Sequence, residues 1–350
     1  MTTIADPLLE VRDLHLDLRS RTGTAHVLEG VCVSVAPGES LGIIGESGSG
    51  KSVLARALIG VQPRGVTAAA SGRIRFARHD VLGRSPRQRR GTAAARMAMI
   101  FQDPSSTLNP TVRVGRQVLE GLDDRPRAPR RIRRARVREL LDAVGLTDVE
   151  RIARSYPSQL SGGQRQRIGI AAALAGDPLL LIADEPTTAL DVTMQRTVLD
   201  LVDRLRAARG MSLIHITHDL GVLTDRTDRI AVMYAGRIVE SGPTARILAA
   251  PAHPYARALL DLSPRLSRPA PLPLPTLPGS LPDLSAPRRG CPFAARCAHV
   301  QDVCRSDRPP LTPAPGSTTD HAVACWQPLG PTPDPARTSR QAAALLKGAA

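Results

Sequence analysis

Residues 45–52 read Gly45-Glu-Ser-Gly-Ser-Gly-Lys51-Ser52, which follows the pattern G-x-x-x-x-G-K-[ST]. An apolar stretch, residues 41–44, precedes them, and apolar residues at helical spacing follow from Val53 onward. In such a strand–loop–helix setting, glycines allow backbone N–H groups to turn towards phosphate oxygens, and the helix adds its positive N-terminal end. The sequence therefore predicts a phosphate-binding loop in an α/β fold.

The side chains of this loop suit a nucleotide bound with magnesium. Lys51 would place a compact positive charge between the β- and γ-phosphates, and the Ser52 hydroxyl would ligate Mg²⁺. The plain alternative is a flexible Gly/Ser turn, but only two of the 47 basic residues are lysines, so a chance match is rare. The residues predicted to bind the nucleotide here are Gly45, Ser47, Gly48, Gly50, Lys51 and Ser52.

Composition limits the classes of function. The chain has 350 residues, a net charge of +15 and only 2% aromatic residues. A basic chain could bind nucleic acid or an anionic membrane surface, but aromatic residues for base stacking are nearly absent, so we expect no nucleic-acid partner. No apolar run reaches about 18 residues and the N-terminus lacks a signal-peptide pattern, so we expect a cytoplasmic protein that docks on other chains if it works at a membrane.

Alternating strand and helix patterns predict a main domain over residues 1–262, with a helical subdomain at about 105–175. Residues 264–287 are rich in proline and are expected to form an extended spacer. The spacer belongs to a predicted unit over 263–328 that ends in a small module with four of the five cysteines. Residues 329–350 are expected to be disordered.

Two carboxylates follow a continuous apolar run, residues 179–183, which is typical of a parallel strand buried on both faces. Asp184 suits the positioning of Mg²⁺, and Glu185 is placed to orient and polarise an attacking water. A strand-end turn with two exposed acids is the alternative, and the phosphate loop upstream disfavours it.

A second anion site is predicted in Leu160-Ser161-Gly-Gly-Gln164-Arg-Gln-Arg167. Ser161 stands where a helix N-cap belongs, and the two glycines permit close approach of a phosphate. The two predicted anion sites lie about 110 residues apart in the sequence. Both could bind one nucleotide only if two chains pair head to tail.

The ordered motifs resemble the ATP-binding subunits of ATP-binding cassette (ABC) transporters, which have a P-loop NTPase fold. They are the phosphate loop, Gln102 in IFQDP, LSGGQ at 160–164, Asp184-Glu185, Leu190-Asp191 and His218 in ITHDL. The resemblance implies ATP as ligand, Mg²⁺ held by Ser52, Gln102 and Asp184, and catalytic roles for Glu185, His218 and Gln102. It also implies that Ser161, Gly163, Gln164 and Asp191 act on nucleotide across a dimer. Taken alone, His218 would be interpreted as a strand-end histidine with local hydrogen bonds.

One position departs from the family pattern. ABC subunits usually stack adenine on an aromatic side chain near the end of the first strand, whereas Leu18 or a neighbour stands there and the first aromatic residue is Phe76. Base–aromatic stacking contributes about 1–3 kcal/mol in nucleic-acid proteins. Weaker or less base-selective nucleotide binding is therefore a hypothesis.

The C-terminal part of the sequence indicates which group of ABC subunits the chain resembles. Pro254-Tyr255, Leu277-Pro278-Gly279 and Gly290-Cys-Pro-Phe-Ala-Ala-Arg296-Cys297 resemble the ATPases of dipeptide, oligopeptide and nickel importers, and most of all the D-type dipeptide ATPases. This implies ATP hydrolysis at the cytoplasmic face of the bacterial plasma membrane, which energises import of peptides or, alternatively, of nickel or another small solute. The implied partners are a second homologous ATPase subunit or a second copy, two permease subunits and an extracytoplasmic solute-binding protein.

Two other classes of protein are less consistent with the sequence. A soluble ABC ATPase acting on nucleic acid or ribosomes usually has two cassettes or a long coiled-coil insertion, and this chain shows one cassette and no such insertion. A redox protein in which ATP is secondary would not need Glu185 and His218.

Cys291, Cys297, Cys304 and Cys325 follow the spacing C-x₅-C-x₆-C-x₂₀-C. A reducing cytosol disfavours disulfides, and the spacing is more open than in common zinc knuckles. The resemblance implies that the four bind a [4Fe–4S] cluster, with zinc, unligated thiols or a disulfide as alternatives. The fifth cysteine, Cys32, lies in a valine-rich strand and is expected to be buried.

Overall fold

The computed structural model describes residues 6–21, 23–61, 66–90, 92–102, 107–120, 129–187, 192–262, 277–286, 288–317 and 320–330, except for the side chain of Val192. Several sequence predictions fall wholly or partly outside these ranges. They include Leu190-Asp191, parts of the predicted helical subdomain, most of the proline-rich segment, and the tail from residue 331 onward.

A mixed sheet of eight strands lies at the centre of the described residues. Its strands are β3 (Ser40–Ile44), β6 (Met97–Ile100), β7 (Leu180–Asp184), β8 (Ser212–Thr217), β9 (Arg229–Tyr234), β10 (Arg237–Pro243), β11 (Thr312–Pro313) and β12 (Ala322–Val323). The strand order is β11-β12-β10-β9-β3-β8-β7-β6. The five strands from β9 to β6 are parallel, and the other three are antiparallel.

Strand β7 confirms the prediction of a parallel strand buried on both faces. Leu180 and Ile182 pack into one hydrophobic core, and Leu181 and Ala183 pack into another on the opposite face. Successive side chains of a strand point to opposite faces, so a run without polar residues fits only a strand that is covered on both sides.

A second, antiparallel sheet covers one of these cores. It contains β1 (Leu9–Ser20), β2 (Gly23–Val35), β4 (Thr67–Phe76) and β5 (His79–Asp80) in the order β2-β1-β4-β5. The prediction that Cys32 is buried is wrong, because its side chain is exposed. Val31, Val33 and Val35 point into the core, so the period of two directs Cys32 to the other face.

The described helices pack against both faces of the eight-stranded sheet. They are α1 (Lys51–Ile59), α2 (Pro86–Arg89), α3 (Val114–Glu120), α4 (Arg130–Ala143), α5 (Val149–Arg154), α6 (Gly162–Leu174), α7 (Val192–Arg209), α8 (Leu220–Leu223), α9 (Thr244–Ala249), α10 (Pro254–Leu262) and α11 (Asp302–Ser306). Helices α3 to α6 pack on one another around Leu140, Leu141 and Ile168, in agreement with the helical character predicted for the middle of the chain. None of these helices combines the length and the apolar character that a membrane span requires.

The C-terminal residues pack on the main sheet, a contact that was not predicted from the sequence. Strand β12 pairs with β10, and the buried Glu240 of β10 accepts hydrogen bonds from His321 Nε2 (2.7 Å) and from the backbone N–H groups of Ala252 (2.8 Å) and His253 (2.7 Å). The N–H of Leu329 donates to Ala252 (2.8 Å). The chain is thus tied to the sheet as far as residue 329.

The central strand provides a stability test. Replacing Ile182→Ala, at a fully buried position, is expected to lower the free energy of unfolding by about 2–5 kcal/mol, because it removes apolar contacts and leaves a cavity. The matched control is Ile132→Ala in α4, where the side chain is 54% exposed and the expected change is within about 0.5 kcal/mol. Urea unfolding followed by circular dichroism measures both. Equal destabilisation by the two changes would contradict the assignment of β7 to the core.

Candidate nucleotide site

The phosphate loop connects β3 to α1 and is shaped by its glycines. Gly48 and Gly50 have φ values of +84° and +104°, a region that side-chain-bearing residues rarely adopt. Gly45 lies so close to β9 that an added Cβ would be 2.1 Å from the carbonyl oxygen of Met233. The loop therefore needs glycine for two reasons, backbone conformation and close packing.

Lys51, the first residue of α1, folds back over the loop. Its Nζ donates to the carbonyl oxygens of Gly45 (2.7 Å) and Glu46 (2.9 Å), and the residue is only 4% exposed. Burial lowers the pKa of Lys51, and the nearby carboxylates of Glu185 and Asp184 act in the opposite direction. The buried ammonium lies among oxygen acceptors, where a phosphate would also be favoured.

Two residues predicted to bind magnesium meet at the end of β7. Ser52 Oγ donates to Asp184 Oδ1 at 2.9 Å. Burial raises the pKa of Asp184, and the hydrogen bond from Ser52 partly offsets this. The pair supplies a hydroxyl and a carboxylate oxygen, the ligand type that Mg²⁺ prefers.

Glu185 lies within reach of the other two predicted catalytic residues. Its Oε2 accepts from Gln102 Nε2 at 3.3 Å, and its Oε1 is 3.3 Å from His218 Nδ1. Its side chain is only 11% exposed, whereas that of His218 is 54% exposed. The φ of Glu185 is +44°, a strained conformation held in part by the hydrogen bond from its N–H to Ile216 O (2.9 Å).

The LSGGQ stretch forms the predicted N-cap. Ser161 Oγ accepts from the N–H of Gln164 (3.2 Å), while Gln164 Oε1 accepts from the N–H of Ser161 (3.0 Å), so the two form a capping box at the start of α6. An added Cβ at Gly163 would lie 2.9 Å from Met194 Cε. None of the described contacts joins Ser161 to the phosphate loop, and Asp191 lies outside the described residues.

A buried glutamine for which no role was predicted links α6 to the residues that follow β7. Gln166 is 2% exposed, and its Nε2 donates to the carbonyl oxygen of Pro186 at 2.6 Å. Pro186 directly follows Glu185 in the chain. A shift of α6 would therefore act directly on the backbone beside the predicted catalytic glutamate.

At the position where the family places an adenine-stacking side chain, β1 is aliphatic. Leu18 is half-buried between Ala25 of β2 and Ala68 of β4, and Phe76 is fully buried in the core below. The hypothesis of altered base selectivity therefore stays a prediction.

The four C-terminal cysteines line one pocket together with Phe293 and Trp326. Burial raises the pKa of Cys291 and Cys297, and it raises that of Cys325 to about 11. Among the described residues, however, no group of three or more His, Cys, Asp or Glu side chains is arranged so that it could hold a metal ion. The thiols converge, but in this arrangement they do not form a ligand set.

Comparison with known proteins identifies the family. The "ABC transporter" profile matches residues 28–188, and the "Oligopeptide/dipeptide transporter, C-terminal region" profile matches residues 239–304. The chain is 44% identical to the probable peptide ABC transporter ATP-binding protein y4tR of Sinorhizobium fredii, over 92% of this chain and 96% of that one. It is 42% identical to the dipeptide transport ATP-binding protein DppD of Bacillus subtilis, over 92% and 95% respectively.

A solved structure agrees with the fold. The post-hydrolysis dimer of the ATP-binding cassette MJ0796, bound to ADP and Pi, matches with a TM-score of 0.57 and 25% identity over 67% of this chain and 98% of that one. The chain therefore belongs to the ABC transporter family, as an ATP-binding subunit that carries the oligopeptide/dipeptide type of C-terminal region. The family resemblance predicted from the motif order is confirmed.

The close packing at Gly45 predicts that a larger residue at this position weakens nucleotide binding. Gly45→Ala is expected to weaken MgATP binding at least about tenfold, because a Cβ there must displace the loop from β9. The control is Gly169→Ala inside α6, where an added Cβ meets nothing within 4 Å and alanine favours the helix by about 0.5–1 kcal/mol. Isothermal titration calorimetry measures both dissociation constants. Unchanged affinity of the Gly45 variant would contradict the close packing.

Proposed function

We propose that this chain hydrolyses ATP to energise peptide import through an ABC permease. The observation that supports it most strongly is that Gln102 and His218 both contact Glu185. Glu185 is the next residue after Asp184, which pairs with Ser52 of the phosphate loop. The peptide substrate is inferred from relatives at 42–44% identity whose names describe peptide and dipeptide transport.

The proposed chemistry is attack of water on the γ-phosphorus of ATP. The loop N–H groups and Lys51 hold the β- and γ-phosphates, and Glu185 orients and polarises the water. The bond to the β–γ bridging oxygen breaks, and ADP and inorganic phosphate leave. Ser52, Asp184 and Gln102 would hold Mg²⁺, which neutralises phosphate charge when bound. His218 would keep Glu185 and the γ-phosphate in place.

We further propose that two such subunits enclose the nucleotide head to tail. Ser161, Gly163 and Gln164 of one subunit would contact the γ-phosphate held by the partner, and Asp191 would couple the two sites. In support, the described contacts of the Ser161 cap stay within its own helix end, and the structurally similar MJ0796 cassette is described as dimeric. The partner is a second homologous ATPase subunit or a second copy of this chain.

The remaining partners follow from the proposed transport role. The chain would dock at the cytoplasmic face of the bacterial plasma membrane on two permease subunits, and an extracytoplasmic solute-binding protein would deliver the cargo. Within this assembly we assign the nucleotide chemistry to residues 1–262, and we treat residues 263–328 as the peptide-importer region. Nickel or another small solute is the alternative cargo.

We also infer from the resemblance that Cys291, Cys297, Cys304 and Cys325 bind a [4Fe–4S] cluster. Their shared pocket supports this, whereas their present arrangement does not, so cluster assembly would have to draw the thiols closer together. The protein's contribution would be four cysteine thiolates in a partly buried, apolar setting.

The catalytic assignment is tested by Glu185→Gln. Hydrolysis by the chain assembled with its permease is expected to fall about 10²–10⁴-fold, because an amide no longer polarises the water, while MgATP binding persists. Glu139→Gln on α4, where the carboxylate is 59% exposed, should leave the rate within about twofold. Phosphate release and nucleotide binding are measured on the same samples. A Glu185→Gln variant that hydrolyses ATP at the unaltered rate would remove Glu185 from the mechanism.

The transport assignment is tested in proteoliposomes that hold the same assembly. Adding the solute-binding protein loaded with dipeptide should stimulate hydrolysis and peptide uptake together. Stimulation only by a nickel-loaded binding protein would favour the alternative cargo.

The cluster assignment is tested on the full chain purified without oxygen. Iron and acid-labile sulfide in equal amounts, with visible charge-transfer absorption, are expected, and Cys297→Ser should lower all three signals. Cys32→Ser is the matched control, because this exposed thiol lies outside the pocket. Zinc without iron, or no metal at all, would overturn the assignment.

A further inference from the structure

The phosphate loop is held from outside by residues of the last third of the chain. Glu46, the second residue of the loop, donates its N–H to Tyr255 Oη of α10 at 2.8 Å. Its carboxylate accepts two hydrogen bonds from Arg296, at 2.8 Å from Nη1 to Oε2 and at 2.9 Å from Nη2 to Oε1. This two-point pairing fixes orientation as well as distance.

Arg296 is itself held in place. Its Nε donates to Pro278 O (2.8 Å), its Nη2 donates to Leu277 O (3.2 Å), and its guanidinium lies 5.9 Å from the ring centroid of Tyr234. The side chain of Arg296 is only 5% exposed, against 27% for that of Glu46. A buried arginine, hydrogen-bonded through Nε, Nη1 and Nη2, therefore holds a more accessible carboxylate at the edge of the nucleotide site.

The aromatic residues of the same region form its support. Phe293, three residues before Arg296, packs against Tyr234 and Tyr255 with ring centroids 5.3 and 5.4 Å apart. Tyr255 is fully buried, so its hydroxyl is fixed where it meets the N–H of Glu46. The hydrogen bonds to Glu46 thus come from a packed core and not from mobile surface side chains.

The charge of Glu46 explains why this contact matters for ATP. A carboxylate in a loop that receives a triphosphate repels the ligand unless a cation neutralises it. The carbonyl oxygen of Glu46 also accepts from Lys51 Nζ, so the position of this backbone bears on the lysine that would contact the phosphates.

We propose that Arg296 is a positioning residue of the nucleotide site: it fixes the phosphate loop through Glu46 and neutralises the carboxylate beside the bound triphosphate. The C-terminal region thereby contributes to ATP affinity without touching ATP. The inference rests on the proposed binding of ATP by this loop.

A second arginine of the same region separates this role from simple docking of the C-terminal region. Arg308 pairs with Glu29 of β2 at 3.0 Å, outside the phosphate loop, and its side chain is 35% exposed. If Arg296 only attached the C-terminal region, loss of either arginine should affect nucleotide binding alike. If Arg296 acts through Glu46, loss of Arg296 should weaken nucleotide binding and loss of Arg308 should not.

The test measures the dissociation constant of MgATP for the full chain by calorimetry. Arg296→Ala should raise it about tenfold, a change typical of one lost charge-assisted hydrogen bond, and Arg308→Ala should leave it within about twofold. Arg296→Lys should recover part of the affinity, because it restores the charge but not the two-point geometry. Glu46→Gln should improve binding in the Arg296→Ala background, because it removes the unpaired carboxylate.

Each outcome decides the proposal. Equal effects of Arg296→Ala and Arg308→Ala, or strictly additive effects of the Glu46 and Arg296 changes, would overturn it. Thermal unfolding checks that every variant is folded. If Arg296→Ala does not fold, two other variants decide: the proposal is overturned if Arg296→Lys and Glu46→Gln both bind MgATP with the dissociation constant of the unaltered chain. If the unaltered chain fails to bind MgATP, the proposed function fails; if it binds and Arg296→Ala binds equally well, only the positioning role fails.

Discussion

The parallel register of β3, β8 and β7 is the constraint on which the site depends. Ile44 lies opposite Thr217, and Asp184 lies opposite Ile216, so the carboxyl ends of three strands finish at one edge of the sheet. The phosphate loop directly follows β3 and His218 directly follows β8, while Asp184 is the last residue of β7 and Glu185 follows it. Ser52 and Asp184, 132 positions apart in the sequence, thus meet at 2.9 Å because the strands that precede them end side by side.

Burial gives this edge its electrostatic character. Desolvation disfavours the charged forms of both Lys51 and Asp184, and each ion favours the charged form of the other. Loop carbonyl oxygens accept hydrogen bonds from Lys51, and the Ser52 hydroxyl donates one to Asp184. In the proposed complex, a magnesium-bound triphosphate would offer the same groups oxygen anions and a cation, and charged partners would replace neutral ones.

Most of the site could be predicted because its residues stand in motifs with a fixed order. The LSGGQ stretch at 160–164 predicted the Ser161 cap, and the apolar run at 179–183 predicted β7. The burial of Cys32 was predicted wrongly, because composition identifies a strand but not which of its faces a given residue occupies. The contacts of Tyr255 and Arg296 with Glu46 were missed for another reason. Both residues belonged to the C-terminal pattern, but a pairing across more than 200 residues leaves no local signal.

The separation of Arg296 from Glu46 by 250 positions also has a temporal meaning. A ribosome adds about 5–20 residues per second, so the arginine emerges roughly 10–50 s after the loop that it holds. Strand β12, the partner of β10 at the sheet edge, emerges later still. A nascent chain can therefore assemble the parallel core and its glycine-lined loop first. The loop lacks its contact with Arg296 until translation is almost complete.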